Sequence, residues 1–365
     1  MNSTAVLPLR LRAQDRVLVL APHPDDESIA CGGLLLAARA AGAARRVVVL
    51  TDGDNNPWPQ RWIEKRWRID DAARARWGAR RRAEAQAALD VLGVAREEVF
   101  FFGWPDMGVT DLLMCEPARM AHALIAQIES FQPTHLALPA LTDEHPDHSA
   151  THVAARFALA RLQIPAPECL LYSVHGVRSA AQARVVVLDA VRRGLKQRAI
   201  LQHETQMRLS RKRFVEFAAR PETFRGIEQA RGAEHPLDIA MNVKGLLELR
   251  LDARRIRKIS SLHLLLAIDG IDGSALRWRM PLIADAVVQL SDCTGGKNAG
   301  EAYWRRYGNL LRAELKLPFA APFELGFCKL AQNRAGLVVY DRYGWQAVSK
   351  KTRVITEVLT NFRPT

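Results

Sequence analysis

Two short clusters of histidine and carboxylate residues constrain this chain more than any other feature of its sequence. The first runs from His23 to Glu27, directly after the apolar segment 16–20, and the second runs from His145 to His148, after the apolar segment 135–140. Each cluster opens a stretch with the residue pattern of a helix. In an α/β sheet, ligand-binding side chains gather where parallel strands end and helices begin. The two clusters would therefore form one site if their strands run parallel.

The order of apolar runs along the first two-thirds of the chain predicts an α/β domain. Six strand-like runs are separated by helix-like stretches, at Arg16–Ala21, Arg46–Thr51, Glu98–Gly103, His135–Ala140, Cys169–Val174 and Arg184–Leu188. Such alternation is typical of a Rossmann-like, doubly wound fold with a mostly parallel sheet.

The pattern changes after about residue 231. Shorter runs spaced by Gly, Asp and Pro follow, at Leu246–Leu251, Leu262–Ile268, Leu276–Leu282, Leu311–Leu317 and Gly336–Tyr343. They predict a second, smaller, mainly β domain. We therefore expect a catalytic domain at residues 1–231 and an accessory domain at 232–365, with the boundary near Gly232 to Pro236.

The charge balance predicts an anionic partner. The 365 residues include 52 Lys and Arg against 39 Asp and Glu, a formal net charge of +13. Such a surplus attracts anions through long-range fields. An anionic membrane surface or a lipid-linked or phosphate-bearing sugar would fit, whereas no nucleic-acid recognition motif is found, so we expect no nucleic-acid partner.

The segment from Trp58 to Arg82 has two interpretations. It contains four tryptophans among nine Lys or Arg residues and three Asp or Glu residues. Tryptophan beside arginine suits a membrane interface, because the ring is amphipathic and the cation can meet lipid phosphates. The alternative is an ordinary helix with its tryptophans packed inward and its arginines in solvent.

The remaining composition is that of a cytoplasmic protein. No apolar run approaches the roughly 20 residues of a membrane span, and none of signal-peptide length precedes the first predicted strand. The five cysteines form no close pair and no metal-spaced motif, so they are interpreted as buried thiols in a reducing compartment. We expect a cytoplasmic location, with peripheral association at the inner membrane face as a further option.

The residue types in the two clusters suit a divalent metal. Catalytic zinc usually takes three protein ligands from His, Asp or Glu and keeps a fourth position for water. His23, Asp26 and His148 are a suitable set. Zinc is the expected metal, with ferrous iron as the alternative. A metal of this kind lowers the pKa of water from about 16 to about 7, so amide hydrolysis becomes feasible at neutral pH.

The clusters also resemble the two signatures of the LmbE/PIG-L-like family of zinc-dependent N-deacetylases, which includes enzymes acting on N-acetylglucosaminyl inositol compounds. His23 to Glu27 reads His-Pro-Asp-Asp-Glu, and His145 to His148 reads His-Pro-Asp-His. The resemblance covers roughly residues 14 to 228. Weaker family marks are Arg81 and Glu84 before Leu92-Gly93, Asp106 after Gly103-Trp104-Pro105, and the element from Lys196 to Gln206.

The resemblance implies a role for each remaining residue of the site. Asp25 would be the general base for water activated by the metal. His145, as a cation, would stabilise the oxyanion and could protonate the departing amine. Glu27 and Asp147 would orient the catalytic groups. Arg81 and Asp106 would contact the substrate.

One position departs from the family pattern. Some members have a tyrosine two residues before the second signature, where it can help the oxyanion, but this chain has Asp143 there. That help would have to come from another residue or be absent.

The expected function is removal of the acetyl group from an N-acetylated amino sugar in a glycoconjugate or lipid-linked precursor. Two alternatives remain at this point. The chain could be an amidase acting on another acyl or peptide-like amide, or a non-catalytic protein that binds carbohydrate or lipid.

Overall fold

The computed structural model describes residues 7–176, 183–227, 235–242, 245–256, 258–295, 298–318, 323–332, 340–341 and 343–353. The chain divides into two compact units, one of residues 1–232 with 338–344, and one of residues 233–337 with 345–365. The catalytic and accessory roles assigned above to residues 1–231 and 232–365 stay predictions. The short segment 338–344 is far along the chain yet belongs to the first unit.

The first unit contains a parallel five-stranded sheet. The strands of the whole first unit, in chain order, are β1 (Leu7–Pro8), β2 (Arg16–Ala21), β3 (Ala44–Thr51), β4 (Val99–Trp104), β5 (His135–Pro139), β6 (Glu168–Tyr172), β7 (Arg184–Val186) and β8 (Glu222–Phe224). The main sheet has the order β4-β3-β2-β5-β6 and every pair in it is parallel. This confirms the predicted Rossmann-like fold. Val17 to Ala21 are fully buried, as is typical of a strand with helices on both faces.

The sixth predicted strand does not join the main sheet. β7 instead pairs in parallel with β1 and antiparallel with β8, in a separate three-stranded sheet. The sequence pattern showed an apolar run but could not identify its partners, which lie near the start of the chain and after residue 220.

Helices connect the strands of the first unit. They are α1 (Asp26–Ile29), α2 (Gly32–Ala41), α3 (Pro57–Glu64), α4 (Asp71–Leu92), α5 (Val109–Cys115), α6 (Pro117–Phe131), α7 (Pro146–Ala160), α8 (Ala190–Leu201) and α9 (Glu204–Ala219), with a 3-10 turn at Arg96–Glu98. Local signals fix their ends: the Asp70 side chain accepts a hydrogen bond from Ala73 N at the start of α4, and Gly93 ends that helix with φ 75°. Among the described residues, no helix is both long and apolar enough to cross a bilayer.

The strand order explains how the two clusters can meet. β2 lies beside β5, with Val17 opposite His135 and Val19 opposite Ala137. β3 and β4 lie on one side of this pair and β6 on the other. The first cluster follows β2 and the second follows β5, so both lie at the carboxyl edge of the sheet, where its strand order reverses.

The second unit is mainly β, as predicted. Its strands are β9 (Leu237–Asn242), β10 (Leu247–Asp252), β11 (Leu262–Gly270), β12 (Ala275–Pro281), β13 (Ala286–Asp292), β14 (Asn298–Tyr307), β15 (Leu310–Leu315), β16 (Phe323–Gln332), β17 (Gln346–Ala347) and β18 (Ser349–Arg353). They form one sheet in the order β17-β16-β11-β12-β13-β14-β15-β10-β9-β18, antiparallel except for β18 beside β9. Most of the predicted run Gly336–Tyr343 lies outside the described residues, and its described part is not in a strand.

Candidate metal centre

Three ligand atoms of the predicted set lie close together. Nδ1 of His23 is 3.3 Å from Nε2 of His148 and 3.4 Å from Oδ2 of Asp26. Nε2 of His148 is 3.1 Å from that same carboxylate oxygen. Zinc bonds of about 2.0–2.1 Å in a tetrahedron place the ligand atoms about 3.3–3.4 Å apart. The triangle formed by His23, Asp26 and His148 therefore fits one face of a tetrahedral cation site.

A tight turn after β2 positions the first cluster. Asp26 N donates to the carbonyl oxygen of His23 at 3.2 Å, while His23 N donates to Oδ2 of Asp26 at 2.9 Å. Thr51, at the end of β3, donates to the carbonyl oxygen of Pro22 through both its backbone N and its hydroxyl. The carboxylate of Asp26 is thereby held against the His23 imidazole before any ion binds.

The charges around this triangle favour a cation. Burial alone would lower the pKa of His148, but the carboxylates of Asp26 and Asp143 raise it to about 10. Burial likewise opposes protonation of His23, and hydrogen bonds to Asp106, Asp147 and Asp26 nevertheless raise its pKa well above the usual value. The buried carboxylates thus stabilise positive charge between His23 and His148, and a divalent cation would supply that charge.

A geometric alternative groups His145 with His23 and His148 as ligands. We favour Asp26 instead, because its oxygen lies within 3.4 Å of both imidazoles. Nδ1 of His145 already accepts a hydrogen bond from Asp147 N at 3.2 Å. A neutral imidazole carries its one proton on the other nitrogen, so His145 has no free lone pair for a metal.

Two carboxylates orient the imidazole of His23 from behind. Its Nε2 lies 3.2 Å from Oδ1 of Asp106 and 3.2 Å from Oδ2 of Asp147. Met107 N donates to Asp147 at 2.7 Å, and Asn55 N donates to Asp106 at 2.7 Å. A proton on Nε2 shared with these carboxylates leaves the Nδ1 lone pair facing the triangle. Asp106 was predicted to contact substrate, and the structure places it against His23.

Asp143 has the equivalent position behind His148. Its Oδ2 lies 3.3 Å from Nδ1 of His148 and accepts hydrogen bonds from Val174 N at 2.7 Å and His175 N at 3.1 Å. Its Oδ1 accepts from His145 N at 3.1 Å. In the sequence, this residue stands out only because it occupies the position of a tyrosine found in some family members. In the structure it is a buried anchor for the second cluster.

Asp25, the predicted base, is held by Arg81. Nη2 of Arg81 lies 3.2 Å from Oδ2 of Asp25 and 2.7 Å from the carbonyl oxygen of Pro24, and Nη1 donates to the carbonyl oxygen of Gly53 at 2.7 Å. Burial raises the pKa of Asp25 to about 6, although Arg81 opposes the shift. Arg81, predicted to contact substrate, is itself buried and engaged with the turn that carries the base.

The backbone at Asp25 is unusual. Its φ is 140° and its ψ is −28°, a conformation that residues other than glycine rarely adopt. Such strain costs of order 1–3 kcal/mol and is concentrated at functional sites. The strain supports a functional role for this carboxylate.

The surroundings of His145 oppose the cationic form predicted for it. Burial and the neighbouring imidazoles of His23, His148 and His175 lower its pKa well below the usual value. Its ring centre lies 4.5 Å from that of His23, edge to face. This shift of the pKa favours a neutral imidazole with its proton on Nε2, whereas the sequence predicts a cation; the role of His145 stays a prediction.

Glu27 and the late element from Lys196 to Gln206 support the base. Oε2 of Glu27 accepts a hydrogen bond from Asp25 N at 2.9 Å, and Oε1 lies 3.0 Å from Nε2 of His203. Burial would lower the pKa of His203, but Glu27 raises it overall. The buried side chains of His203 and Glu27 thus lie together beside the backbone N of Asp25.

His175 was missed by sequence reasoning. Its ring centre lies 5.1 Å from that of His148 and 5.4 Å from that of His145. It is a single histidine after β6 without a recognisable motif, so only its position at the carboxyl edge of the sheet could have indicated it.

The tryptophan-rich segment is mostly exposed. Trp77 is buried, as the inward-packed interpretation expects, but Trp58, Trp62 and Trp67 are 52%, 80% and 77% exposed. The Arg61 guanidinium lies 5.1 Å from the ring centre of Trp58 and 5.9 Å from that of Trp67. The association with an anionic membrane surface stays a prediction.

The chain is similar to known deacetylases in the part that carries this site. Residues 18–159 match the family described as PIG-L, GlcNAc-PI de-N-acetylase. Proteins named 1D-myo-inositol 2-acetamido-2-deoxy-alpha-D-glucopyranoside deacetylase are similar. The one from Mycobacterium sp. (strain KMS) is 31% identical over 44% of this chain and 55% of its own length. The one from Gordonia bronchialis is 30% identical over 47% of this chain and 66% of its own length.

Solved structures also match this chain. The N,N'-diacetylchitobiose deacetylase from Pyrococcus horikoshii is 20% identical, covers 58% of this chain and 84% of its own, and has a TM-score of 0.45. The chain spans about half the length of the first curated relative it matches, 55% of it. Residues 18–159 include both signatures and the strands that carry them. The part of the chain that carries both signatures is therefore similar to the PIG-L (LmbE-like) family.

Proposed function

We propose that the protein is a metal-dependent N-deacetylase that releases acetate from an N-acetylated amino sugar. The observation that carries the proposal is the triangle of His23, Asp26 and His148, whose ligand atoms lie 3.1–3.4 Å apart. Two imidazoles and one carboxylate suit zinc and also ferrous iron, and zinc is our first choice. The chemistry that a bound cation supplies at such a site is Lewis acidity, which makes water acidic and an amide carbonyl electrophilic.

Asp25 accepts the proton of the attacking water. A pKa of about 6 leaves this carboxylate ionised at neutral pH yet basic enough to take a proton. Arg81 and Glu27 fix its side chain and its backbone N, so the base is positioned before substrate binds. The proton held by Asp25 can then pass to the amide nitrogen as the carbon–nitrogen bond breaks, which gives acetate and the free amine.

His145 stabilises the developing oxyanion as a neutral donor. Its Nδ1 is occupied by the N–H of Asp147, so Nε2 carries the proton. A donor whose direction is fixed by the helix start at Pro146 needs no reorganisation during the reaction, which is the usual basis of oxyanion stabilisation. This role does not require the cationic form that the sequence suggested.

The amino-sugar substrate is supported by the relatives, whose names describe deacetylases of acetamido sugars. A glycoconjugate or lipid-linked precursor as the natural substrate, and a cytoplasmic location, belong to this proposal.

The direct test is acetate release by the purified, zinc-loaded protein from a panel of acetylated compounds. The panel contains N-acetylglucosamine, N,N'-diacetylchitobiose, an N-acetylglucosaminyl inositol and simple N-acetyl amino acids. Acetate from the sugars but not from the amino acids supports the proposal. Release only from the amino acids would favour the amidase alternative, and release from none would contradict the proposal. The same protein treated with a chelator is the control.

A further inference from the structure

We propose that a cavity beside the metal centre is a binding site for a neutral sugar ring, with Tyr340 as its aromatic wall. This inference rests on the proposed deacetylase function and extends it to the part of the substrate beyond the acetamido group. Tyr340 lies in the segment 338–344, which belongs to the first unit although it is far along the chain.

The cavity has the size of a small-molecule site. Its volume is about 430 Å³, within the range of about 300–1,000 Å³ typical of ligand pockets. All of its lining residues belong to the first unit: Glu144, Val174, His175, Gly176, Arg213, Glu216, Phe217, Arg220 and Tyr340.

His175 connects the cavity to the metal centre. Its ring centre lies 5.6 Å from that of Tyr340 on one side and 5.1 Å from that of His148 on the other. Glu144, which lines the cavity, directly precedes His145 in the chain. A sugar ring held against Tyr340 is therefore separated from the predicted metal ligand His148 by the imidazole of His175. An adjoining acetamido sugar can span this separation.

The segment that carries Tyr340 is tied to the second cluster. Asp341 N donates a hydrogen bond to the carbonyl oxygen of Glu144 at 2.6 Å. Tyr340 itself is 43% exposed, so part of its side chain is accessible to a ligand. An anchored backbone beside a partly exposed ring gives a stacking surface with little conformational freedom to lose on binding.

The charges of the lining indicate a neutral polyol. Arg220 donates to Glu216 at 2.7 Å, so these two charges compensate each other. Arg213 and Glu144 also line the cavity, and the structure shows no ion pair between either side chain and another described residue. Two cations and two anions sum to zero, which disfavours a phosphate or carboxylate ligand. Hydroxyl groups can accept from the guanidinium and donate to the carboxylate, while the apolar face of a sugar ring covers an aromatic ring.

The test compares Tyr340→Ala and Tyr340→Phe with the zinc-loaded wild type, using N,N'-diacetylchitobiose and N-acetylglucosamine. We expect the Ala variant to raise Kd and KM for the disaccharide about tenfold. Its kcat should stay within about twofold of wild type, and the monosaccharide should be affected less, because it has no second ring. Tyr340→Phe keeps the ring and should resemble wild type. Tyr307→Ala, at an exposed tyrosine of the second unit, is the matched control.

Several outcomes would overturn this inference. One is that Tyr340→Ala binds the disaccharide as tightly as wild type, and another is that the Ala and Phe variants lose affinity for it equally. The others are an equal loss of affinity for both sugars in Tyr340→Ala, or no binding of the disaccharide to wild type in calorimetry. Binding that depends on Tyr340 without acetate release from any sugar would instead contradict the deacetylase function and support the sugar site.

Discussion

Two buried carboxylates of the second unit and the proposed ligand Asp26 of the first unit have different kinds of partner. In the second unit, buried Asp269 lies 2.9 Å from Arg277, and buried Glu248 lies 2.7 Å from Arg250. Each of these carboxylates has a permanently charged guanidinium as its partner. In the first unit, the carboxylate of Asp26 instead faces imidazoles, whose protons can leave.

The difference lies in whether the partner of a buried carboxylate can lose its proton. A guanidinium stays protonated at any physiological pH, so the pairs of the second unit can only hold the sheet together. An imidazole can exchange its proton for a metal, so a carboxylate surrounded by histidines keeps its chemistry available. The type of partner, more than burial itself, distinguishes the proposed ligand Asp26 from the buried carboxylates Asp269 and Glu248. The base Asp25 has a guanidinium partner, Arg81, so this distinction applies to the metal ligand and not to the whole site.

The largest effect is expected at the base. Asp25→Asn keeps the shape of the side chain but removes its ability to take a proton, and should lower kcat by about 10²–10⁴-fold. Zinc content should not change, because Asp25 is not one of the three proposed ligands. Acetate release and metal analysis measure the two quantities, and a variant with wild-type turnover would remove Asp25 from the base role.

The opposite pattern is expected in the second unit. Arg277→Met leaves buried Asp269 without its guanidinium and should destabilise that unit by about 3–5 kcal/mol. Zinc content per folded chain should be unchanged. Thermal unfolding followed by circular dichroism measures the stability. A loss of zinc without a loss of stability would contradict the division between structural and chemical charges.

A smaller effect is expected for the residue behind His148. Asp143→Ala removes the carboxylate that orients this imidazole and should weaken zinc binding by about 10–100-fold. Competition with a chromophoric chelator gives the affinity. Asp143→Asn keeps a hydrogen-bond acceptor and should recover part of the loss. Equal zinc affinity in wild type and both variants would show that Asp143 does not act on the metal site.

The smallest effect concerns the exposed tryptophans. If the segment meets an anionic bilayer, Trp62→Ala with Trp67→Ala should weaken binding to phosphatidylglycerol vesicles severalfold, since each ring buries apolar surface at the interface. Val191→Ala, at another exposed apolar side chain, should have no effect. Cosedimentation measures the binding. Wild-type protein that stays in the supernatant at low salt would end the membrane prediction.

Local patterns in the sequence were enough to predict the main sheet and the proposed ligand set. Strand β2 is one apolar run, and the motif that begins at His23 follows it within a few residues, so strand and ligands are fixed by neighbouring positions. The meeting of the two clusters at one edge was expected from the general behaviour of parallel sheets, whereas the pairing of β2 with β5 was not predicted.

Long-range contacts could not be predicted in the same way. Asp143, which lies against His148, accepts hydrogen bonds from the backbone N of residues 174 and 175. Tyr340 contacts His175 from a segment about half the chain away. No local sequence pattern predicts contacts between residues so far apart in the chain. The direction of the His145 pKa shift could not be predicted for a related reason, since it depends on burial and on the imidazoles of His23 and His175 from other parts of the chain, in addition to that of nearby His148.

The most direct test of this account is the zinc stoichiometry of His148→Ala, measured by elemental analysis after dialysis. His122→Ala, at an exposed histidine of α6, is the control. The account predicts one tightly bound zinc in wild type and in His122→Ala, and none in His148→Ala, because the ion would lose one of its three protein ligands. Full zinc occupancy in folded His148→Ala would contradict the claim that the two clusters form one metal site.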